Sequence, residues 1–403
     1  MEYKRVRDGE IQLPSHWRIV KLGDITQFKN GINFNKEQKG SGTLTVDVLN
    51  MYCESSFISM NKLYRVNIKL KDDYLLKKND ILFVRSSLKQ EGVGWASLFL
   101  DFTEPVTFCG FIIRARLETQ EIEPIFLVNY LRLDTVRKIL ISKSGKVGVT
   151  NISQANLQSL PIIIPPLPEQ KTIAHTLRTI QKAKETRQRE LELERERKAA
   201  LMQYLFSYGT RNEPREEKEI GKIPKSWIVS RFESLCVLQR GFDITKKEQK
   251  PGKFPVISSG GISSYHNLGK VQGPGVIIGR KGTLGTVHYV DCDYWPHDTT
   301  LWVKEFYENN PLFIAYFLYF LNLKRFDSGA SNPTLNRNTV HAMTIAYPKK
   351  EEQQEIAAIL KACDRKIQAL EKEIALTDEL FHAMLEQLMT GKISTQPLTE
   401  TYV

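Results

Sequence analysis

The stretch EIAAILKACDRKIQALEKEIALTDELFHAMLEQL, residues 355–388, places apolar side chains at alternating intervals of four and three residues. This spacing puts them on one stripe of an α-helix, and its persistence over several heptads is typical of a coiled-coil seam. The stripe comprises Ile356, Leu360, Cys363, Ile367, Leu370, Ile374, Thr377, Phe381, Met384 and Leu388. The stretch contains no proline or glycine. It therefore predicts one long helix that must bury a face.

A second long helix is predicted over about residues 169–208, which also lack proline and glycine. Its apolar stripe comprises Ile173, Leu177, Ile180, Leu191, Leu201 and Leu205, and Lys184, Arg187, Glu194 and Lys198 occupy the same stripe in the middle. At 1.5 Å per residue each helix would be about 60 Å long, more than one small domain can cover. We expect the two helices to pair as a coiled coil, and the alternative is that each packs on a separate protein partner.

The two helices end two similar halves of the chain. Pro14, Trp17 and Gly31 have counterparts at Pro224, Trp227 and Gly241, and Glu169-Gln170 recurs as Glu352-Gln353. The segments between these matches share little beyond glycines and aromatic residues. A repeated frame around divergent interiors is expected of two related binding domains with different targets. An old duplication that has drifted is the alternative.

A mixed region precedes each helix. The short β-branched runs at 80–85 and 275–279 predict strands. Apolar stretches at 125–140 and 311–323 predict shorter helices, and the proline-containing segments 161–168 and 346–348 lead into the long ones. The predicted fold class is α+β, with two mixed α/β globular domains, each followed by a long helix, in an internal pseudo-two-fold repeat.

Composition narrows the class of protein. The 403 residues suggest two or three domains, and 41% hydrophobic with 26% charged residues is typical of a soluble globular protein. No apolar run reaches the roughly 18 residues of a membrane span. The five cysteines are scattered without a C-x-x-C pair, so we expect a cytoplasmic protein without disulfides or a cysteine zinc site. A net charge of +11 favours a polyanionic partner such as nucleic acid.

Motifs of common DNA-modifying enzymes are missing from the sequence. It has no G-x-x-x-x-G-K-[ST] loop and no H-E-x-x-H. The segment 332–335 lacks the second proline and the aromatic residue of an amino-methyltransferase loop. We expect no catalytic residue and no metal site in this chain. The alternatives are a stand-alone DNA methyltransferase or nuclease with unrecognised motifs, and a scaffold that binds only protein.

Two loops at comparable positions are the first candidates for DNA binding. Each follows an apolar strand and combines basic with small hydroxyl residues: Arg85, Ser86, Ser87 and Lys89 in the first half, and Arg280, Lys281 and Thr283 in the second. Arginine and lysine can bind guanine N7 and O6, and serine and threonine can reach phosphates or base edges. An ordinary polar hairpin loop is the alternative for each.

A second pair of polar segments precedes the proline-containing segments. They supply Lys143, Lys146, Thr150 and Asn151 in the first half, and Ser331, Asn332, Thr334 and Asn336 in the second. Asparagine can pair bidentately with adenine, although asparagine and glycine also favour plain turns. Tyr265 and His266 are further candidates in the second half only.

These residues together resemble the specificity (S) subunits of type I restriction–modification systems, over essentially the whole chain. The resemblance rests on the Pro-x-x-Trp motifs at 14–17 and 224–227, on Gly31 and Gly241, and on the loop at 276–285. It rests above all on the segment Ile-Ile-Pro-Pro-Leu-Pro-Glu-Gln-x-x-Ile-Ala at 163–174. The second such segment departs from this pattern because it lacks the Pro-Pro-Leu core.

The resemblance implies an arrangement and a function. Residues 1–165 and 211–347 would be target recognition domains, each recognising one half of a bipartite, asymmetric DNA site. The helices, within 166–210 and 348–393, would form an antiparallel coiled coil that sets the spacer, and 394–403 would be a tail. The implied partners are double-stranded DNA, two methyltransferase (M) subunits and restriction (R) subunits. S-adenosylmethionine, ATP and Mg²⁺ are expected only in those subunits, and this chain would be non-catalytic.

Overall fold

The computed structural model describes residues 3–5, 12–147, 149–326 and 334–395, which divide into two compact units. Unit 1 comprises Met1–Arg187 with Glu373–Val403, and unit 2 comprises Gln188–Lys372. Each unit therefore holds one globular domain together with a portion of both long helices. In the described part of the chain, no helix is long and apolar enough to cross a membrane.

Unit 1 builds its globular part from short strands and short helices. Its strands are β1 (Tyr3–Arg5), β2 (Gln12–Pro14), β3 (Arg18–Lys21), β4 (Thr26–Asn30), β5 (Lys39–Val46), β6 (Tyr64–Val66), β7 (Ile81–Val84), β8 (Ser86–Ser87), β9 (Ala96–Leu98), β10 (Val106–Phe108), β11 (Ile112–Leu117), β12 (Gly145–Val147), β13 (Val149–Asn151) and β14 (Pro161–Ile164). Its helices are α1 (Pro124–Leu131), α2 (Asp134–Ser142), α3 (Gln154–Gln158) and the first part of α4 (Leu167–Tyr208).

The centre of unit 1 is an antiparallel sheet in the order β4-β11-β7-β9. All four residues of β7 are buried, which explains the continuous apolar run and confirms the strand predicted there. The predicted helix at 125–140 is interrupted at 132–133 and forms α1 and α2. Phe83 packs in one core with Phe126 and Leu131 of α1. A second sheet, β10-β5-β6, lies within the same unit.

Unit 2 repeats this architecture with a shorter chain. Its strands are β15 (Arg215–Lys218), β16 (Gly221–Pro224), β17 (Ile228–Arg231), β18 (Val237–Arg240), β19 (Phe254–Ser258), β20 (Gly261–His266), β21 (Gly275–Gly279), β22 (Val287–Val290), β23 (Trp295–Pro296), β24 (Thr300–Glu305) and β25 (Thr344–Tyr347). Its helices are α5 (Pro311–Leu321), α6 (Arg337–His341) and the first part of α7 (Lys350–Met389). The sheet orders β18-β24-β21-β22 and β20-β19-β23 match those of unit 1, and the predicted α+β repeat is confirmed.

The repeated glycine explains one of the sequence matches. The Gly31 amide donates to Ile112 O at 2.9 Å, and the Gly241 amide donates to Thr300 O at 3.0 Å. A Cβ atom at Gly31 would lie 2.1 Å from the carbonyl oxygen of Cys109, and at Gly241 it would lie 2.1 Å from that of His297. Only glycine allows the backbones to approach this closely. The edge strand and its neighbour are therefore joined in the same way in both units.

Within each unit the two long helices run antiparallel. In unit 1, Lys184 Nζ lies 2.5 Å from Asp378 Oδ1, and Arg187 Nε lies 2.9 Å from Glu373 Oε2. In unit 2, Arg195 pairs with Glu371 at 2.7 Å, and Lys198 pairs with Asp364. Partner numbers on α7 fall as the numbers on α4 rise. The predicted pairing of the helices is thereby confirmed as antiparallel.

The seam positions differ in how deeply they are buried. On α7 the predicted seam residues are buried at Ile356, Leu360, Cys363, Leu370 and Leu388 and half-buried at Ile367, Ile374, Phe381 and Met384. On α4, Ile173, Leu177 and Leu205 are buried, whereas Ile180, Leu191 and Leu201 are half-buried. Glu194 is only 4% exposed and binds Arg197 at 2.5 Å and Lys366 at 3.6 Å. The middle of the pair therefore combines partly buried apolar residues with charged ones, and of the two Glu194 contacts only the one to Lys366 joins the helices.

The end of each long helix completes the core of one globular domain. In unit 1, Leu385, Leu388 and Met389 of α7 join the core that contains the central sheet. In unit 2, Met202, Leu205 and Phe206 of α4 join the corresponding core. Each domain is therefore completed by a helix that follows the other domain in sequence.

The repeated glutamine fastens the start of each long helix. Gln170 Nε2 donates to Pro165 O at 2.9 Å, and its Oε1 accepts from the Glu123 amide at 2.9 Å. Gln353 Nε2 donates to Pro348 O at 2.9 Å, and its Oε1 accepts from the Asn310 amide at 2.9 Å. Both side chains are buried. One amide thus satisfies the backbone where the proline-containing segment, the short apolar helix and the long helix meet.

We predict that Leu388→Ala destabilises the protein by about 2–5 kcal/mol, because it leaves a cavity in the core of unit 1. Leu376→Ala is the matched control, since Leu376 lies on the same helix and is 53% exposed; its effect should stay within about 0.5 kcal/mol. Urea titration of both variants measures the difference. Equal midpoints would mean that the end of α7 adds nothing to that core.

Candidate nucleic-acid interface

The backbone holds Arg85 between two strands. Its amide donates to Phe111 O at 2.8 Å, and its carbonyl oxygen accepts from the Ile152 amide at 2.9 Å. The side chain is half-buried, and Nη1 lies 3.4 Å from Gly110 O. The guanidinium therefore lies where the central sheet meets the short sheet β12-β13-β8.

The two polar segments predicted in the first half come together in this short sheet. In the register of β8 and β13, Ser87 faces Thr150 and Ser86 faces Asn151. The Ser86 hydroxyl is hydrogen-bonded to the Asn151 side chain. Asn151 is exposed, whereas Thr150 is buried, and so Asn151 is the one placed to contact a ligand. Ser86 and Asn151 thus lie beside Arg85, although 65 residues of sequence separate Ser86 from Asn151.

The lysines predicted in the first half occupy different positions. Lys89 is exposed in the loop after β8. Lys143 follows α2, and its Nζ donates to Ser159 Oγ at 2.6 Å. Lys146 lies on β12, and its side chain is outside the described part of the structure. Of these three lysines, Lys143 lines the same cleft as Arg85.

This cleft, which we call cleft 1, has a volume of about 630 Å³. It is lined by Asn30, Arg85, Ile113, Lys143, Gly145, Asn151, Ile152, Ser153, Gln154 and Asn156. Its lining contains two cations and four amides and no carboxylate. Such a lining favours an anionic ligand that also presents hydrogen-bonding edges.

Sequence reasoning missed three of the four amide residues in this lining. Asn30 ends the edge strand β4, and Gln154 and Asn156 lie on α3. Gln154 Nε2 donates to Asn30 Oδ1 at 2.9 Å, across 124 residues of sequence. The position of Asn30 directly before the repeated Gly31 was the one available signal. The contact itself depends on the topology, which no local pattern contains.

Unit 2 places its arginine in the same backbone environment. The Arg280 amide donates to Thr299 O at 2.8 Å, and its carbonyl oxygen accepts from the Leu335 amide at 2.9 Å. Lys281 forms a β-bridge with Thr334. The bridge matches the pairing of Ser86 with Asn151 in unit 1. The predicted loops of the two halves are therefore structurally equivalent.

The remaining candidates in unit 2 are dispersed. Asn336 caps α6, as Ser153 caps α3 in unit 1, through a bond from the Asn338 amide at 2.9 Å. Ser331 and Asn332 lie outside the described residues. Thr283 is exposed, and its carbonyl oxygen accepts from Thr286 Oγ1 at 3.0 Å.

Tyr265 and His266 point to different environments. Tyr265 is 53% exposed on β20. His266 is only 7% exposed, its ring packs edge-on against Trp295, and the Lys250 amide donates to its Nδ1 at 3.0 Å. The imidazole is therefore committed to packing within unit 2, and Tyr265 is the member of the pair available at the surface.

An arginine that the sequence did not single out is linked to His297 through Asp298. Arg240 Nη2 lies 3.2 Å from Asp243 Oδ1 and 3.2 Å from Asp298 Oδ2. Asp298 Oδ1 in turn lies 3.0 Å from His297 Nδ1. Arg240 ends the edge strand β18 just before Gly241, as Asn30 ends β4 before Gly31. The same backbone position thus carries an amide in one unit and an ion-paired guanidinium in the other.

Two arginines that pack on Trp95, of which Arg137 is buried and Arg132 half-buried, support the loop of unit 1. Arg132 and Arg137 lie over the Trp95 ring at 4.7 and 5.4 Å. Arg137 Nη2 donates to Glu91 O at 2.7 Å and to Val93 O at 2.8 Å, and so fixes the chain beyond Lys89. Burial lowers the pKa of both guanidinium groups to about 10, which leaves them charged at neutral pH. They add positive charge beneath the loop.

Among the described residues, no group of three or more histidine, cysteine, aspartate and glutamate side chains is placed to hold a metal ion. Cleft 1 is instead lined by arginine, lysine and amides, and the cluster around Arg240 in unit 2 pairs that guanidinium with two carboxylates. The candidate interface is therefore a pair of equivalent surfaces with different side chains.

Comparison with known proteins assigns both halves to one family. The family model described as type I restriction modification DNA specificity domain matches residues 14–195 and, a second time, residues 224–377. The chain belongs to this family. The resemblance to type I specificity subunits stated from the sequence is confirmed, and each half carries one DNA specificity domain.

Relatives extend over nearly the whole chain. The putative type I restriction enzyme MjaX specificity subunit of Methanocaldococcus jannaschii is 25% identical over 97% of this chain and 96% of its own length. The MjaVIII specificity subunit of the same organism is 22% identical, with 96% of this chain and 95% of its own length covered. The crystal structure of a type I restriction–modification S subunit from M. genitalium matches with a TM-score of 0.62 at 16% identity, over 96% of this chain and 99% of that one. This last likeness supports the fold.

Proposed function

We propose that this chain is the DNA sequence-recognition subunit of a type I restriction–modification complex, and that each unit binds one half of a bipartite, asymmetric site. The observation that carries the proposal is the equivalent placement of Arg85 and Arg280. Both arginines follow a buried central strand, and each bonds backbone groups at equivalent positions of its own unit. Their neighbours differ, with Asn30 and Asn151 near the first and Arg240 and Thr334 at the matching positions of the second. One scaffold with two sets of side chains suits two different half-sites.

Charge supports a nucleic-acid ligand. The chain carries a net charge of +11, and cleft 1 combines Arg85 and Lys143 with amides and no acid. Cations bind phosphates and release counterions, which supplies affinity without sequence preference. Arginine and amide side chains can also bind base edges in the major groove, which supplies specificity. The interface contains groups for both tasks.

The paired helices would set the distance between the half-sites. α4 has 42 residues and α7 has 40, so each is about 60 Å long. Ion pairs such as Lys184 with Asp378 and Lys198 with Asp364 fix their relative register. A fixed register gives a fixed length, which a specific gap between two DNA half-sites requires.

The same helices would dock the partner subunits. Apolar side chains remain exposed along them: Leu193, Tyr204, Leu376 and Leu380 are each at least half exposed. Leu376 and Leu380 lie one turn apart on α7, and adjoining exposed apolar side chains favour contact with another protein. We propose that two methyltransferase subunits bind there, with restriction subunits beyond them. S-adenosylmethionine, ATP and Mg²⁺ would be used by those subunits, and this chain would supply recognition only.

A stand-alone methyltransferase or nuclease is the second class of function considered from the sequence. Incubating the purified chain with DNA and either S-adenosylmethionine or Mg²⁺ should leave the DNA unmodified and uncut. Modification or cleavage by a chain free of partner subunits would refute the recognition role.

Arg85→Ala and Arg280→Ala should each relax specificity within one half-site, at a cost of about 1–3 kcal/mol if the arginine contacts a base. The two variants should affect different half-sites, because the arginines belong to different units. Competition binding with DNA substituted one base pair at a time measures the effect. Lys69→Ala, at an exposed lysine of unit 1, is the charge control and should change sequence preference at no position.

A uniform loss of affinity over all DNA sequences would instead assign Arg85 or Arg280 to phosphate contact. The slope of affinity against salt concentration would then fall by about one unit. The two measurements together separate base contact from backbone contact at each position.

Removing one heptad from each helix at facing positions, 185–191 and 371–377, should shorten the preferred spacer by about three base pairs or abolish specific binding. The deletion removes about 10 Å of helix, and base pairs are about 3.4 Å apart. The apolar stripe of each helix stays in phase, because each helix loses seven residues, which is one full heptad. Selection from DNA with variable gaps measures the spacer. An unchanged gap would contradict the spacing role.

A further inference from the structure

The edge strands of the two central sheets end at equivalent residues whose side chains differ: an amide in unit 1 and a guanidinium in unit 2. In unit 1, Asn30 faces Ile113 in the pairing of β4 with β11. In unit 2, Arg240 faces Leu301 in the pairing of β18 with β24. Each residue precedes the glycine that cannot carry a side chain. The backbone pairing is the same at both positions. The fold therefore requires neither side chain, and the two units can differ here without a change of structure.

In unit 1 this position belongs to an amide cluster. Gln154 Nε2 donates to Asn30 Oδ1 at 2.9 Å, and both residues line cleft 1 beside Arg85. That bond uses one N–H of Gln154 and one lone pair of Asn30, and an amide pair has further donors and acceptors. Asn30 is exposed at the surface. Asparagine and glutamine are the side chains that pair with adenine N6 and N7.

In unit 2 the position belongs to a charged cluster. The Arg240 side chain is 50% exposed, and its Nη2 lies within 3.2 Å of both Asp243 and Asp298. Two carboxylates on one nitrogen orient the guanidinium and leave other N–H groups for a ligand. A guanidinium held in this way is suited to guanine O6 and N7, which accept a bidentate pair of bonds.

The two clusters occupy equivalent positions relative to the arginines of the two loops. Asn30 and Arg85 line the same cleft, and Arg240 and Arg280 occupy the matching positions in unit 2. The DNA surface that meets the arginine of each loop would therefore also meet the end of each edge strand. A DNA contact at the end of the edge strand would therefore extend the interface that the loop arginine begins.

We propose that these positions select different base pairs: Asn30 with Gln154 recognises an A·T pair in the half-site bound by unit 1, and Arg240 recognises a G·C pair in the half-site bound by unit 2. The inference rests on the proposed function, since it assigns bases within the half-sites. It makes both positions specificity determinants that lie outside the two basic loops.

The test is selection from a randomised duplex library by the full chain in complex with its methyltransferase subunit. The double variant Asn30→Ala with Gln154→Ala should lower the preference for A·T at one position of one half-site by about 5- to 100-fold. Arg240→Ala should lower the preference for G·C at one position of the other half-site by a similar factor. Arg240→Lys should lower the same preference by a smaller factor than Arg240→Ala, because lysine can still donate to guanine but lacks the planar fork of donors.

Matched controls lie on the same units. Gln27 is an exposed amide on β4 outside the lining of cleft 1, and Arg231 is an exposed arginine on β17. Gln27→Ala and Arg231→Ala should select the wild-type sequence. Because Arg240→Lys is a conservative change at an exposed site, it keeps the test valid if an alanine variant unfolds.

Variants that lose affinity uniformly, with every base preference retained, would overturn the inference while leaving DNA recognition intact. Two variants that alter the same half-site would overturn it as well. Wild-type protein that selects no sequence at all would instead overturn the proposed function, and the inference with it. These outcomes are distinguished by the wild-type selection, which is analysed first.

Discussion

Each globular domain depends on the end of a helix that follows the other domain in sequence. Leu388 of α7 is fully buried in the core of unit 1, and Leu205 and Phe206 of α4 are buried in the core of unit 2. Both helices are consequently held at both ends, and only an antiparallel pairing satisfies the two cores together. A shift of one helix along the other would withdraw apolar side chains from both cores. The constraint therefore fixes the direction and the register of the pair.

Polar contacts in the middle of the helix pair also favour one alignment of α4 against α7. Glu194 is nearly fully buried, and the hydrogen bond from Arg197, aided by the charge of Lys366, holds the pKa of its carboxyl below the usual range. Buried polar groups in coiled coils specify alignment more than they add stability. The apolar ends of the helices thus supply the free energy of helix pairing. The charged residues in the middle restrict the alignments of α4 against α7 that are allowed. A recognition subunit that must keep two half-sites at one distance requires that restriction.

Periodicity and repetition in the sequence were enough to predict the long helices, their pairing and the duplicated α+β domains. Those features depend on local patterns, such as the stripe from Ile356 to Leu388. The candidate site was predicted only in part. Arg85 and Asn151 carry local signals, but the contact of Asn30 with Gln154 spans 124 residues and follows from the sheet order. His266 has a suitable side chain for DNA, yet it packs against Trp295, because a two-residue alternation cannot say which strand face is covered.

The central claim is that two equivalent units recognise two different half-sites at a fixed separation. The most direct measurement is to co-express the chain with its methyltransferase subunit and to map methylated adenines across the genome of the host. The account predicts one asymmetric motif in two parts, separated by a gap of constant length and unspecified sequence. A single contiguous motif, or two half-sites separated by variable gaps, would contradict it.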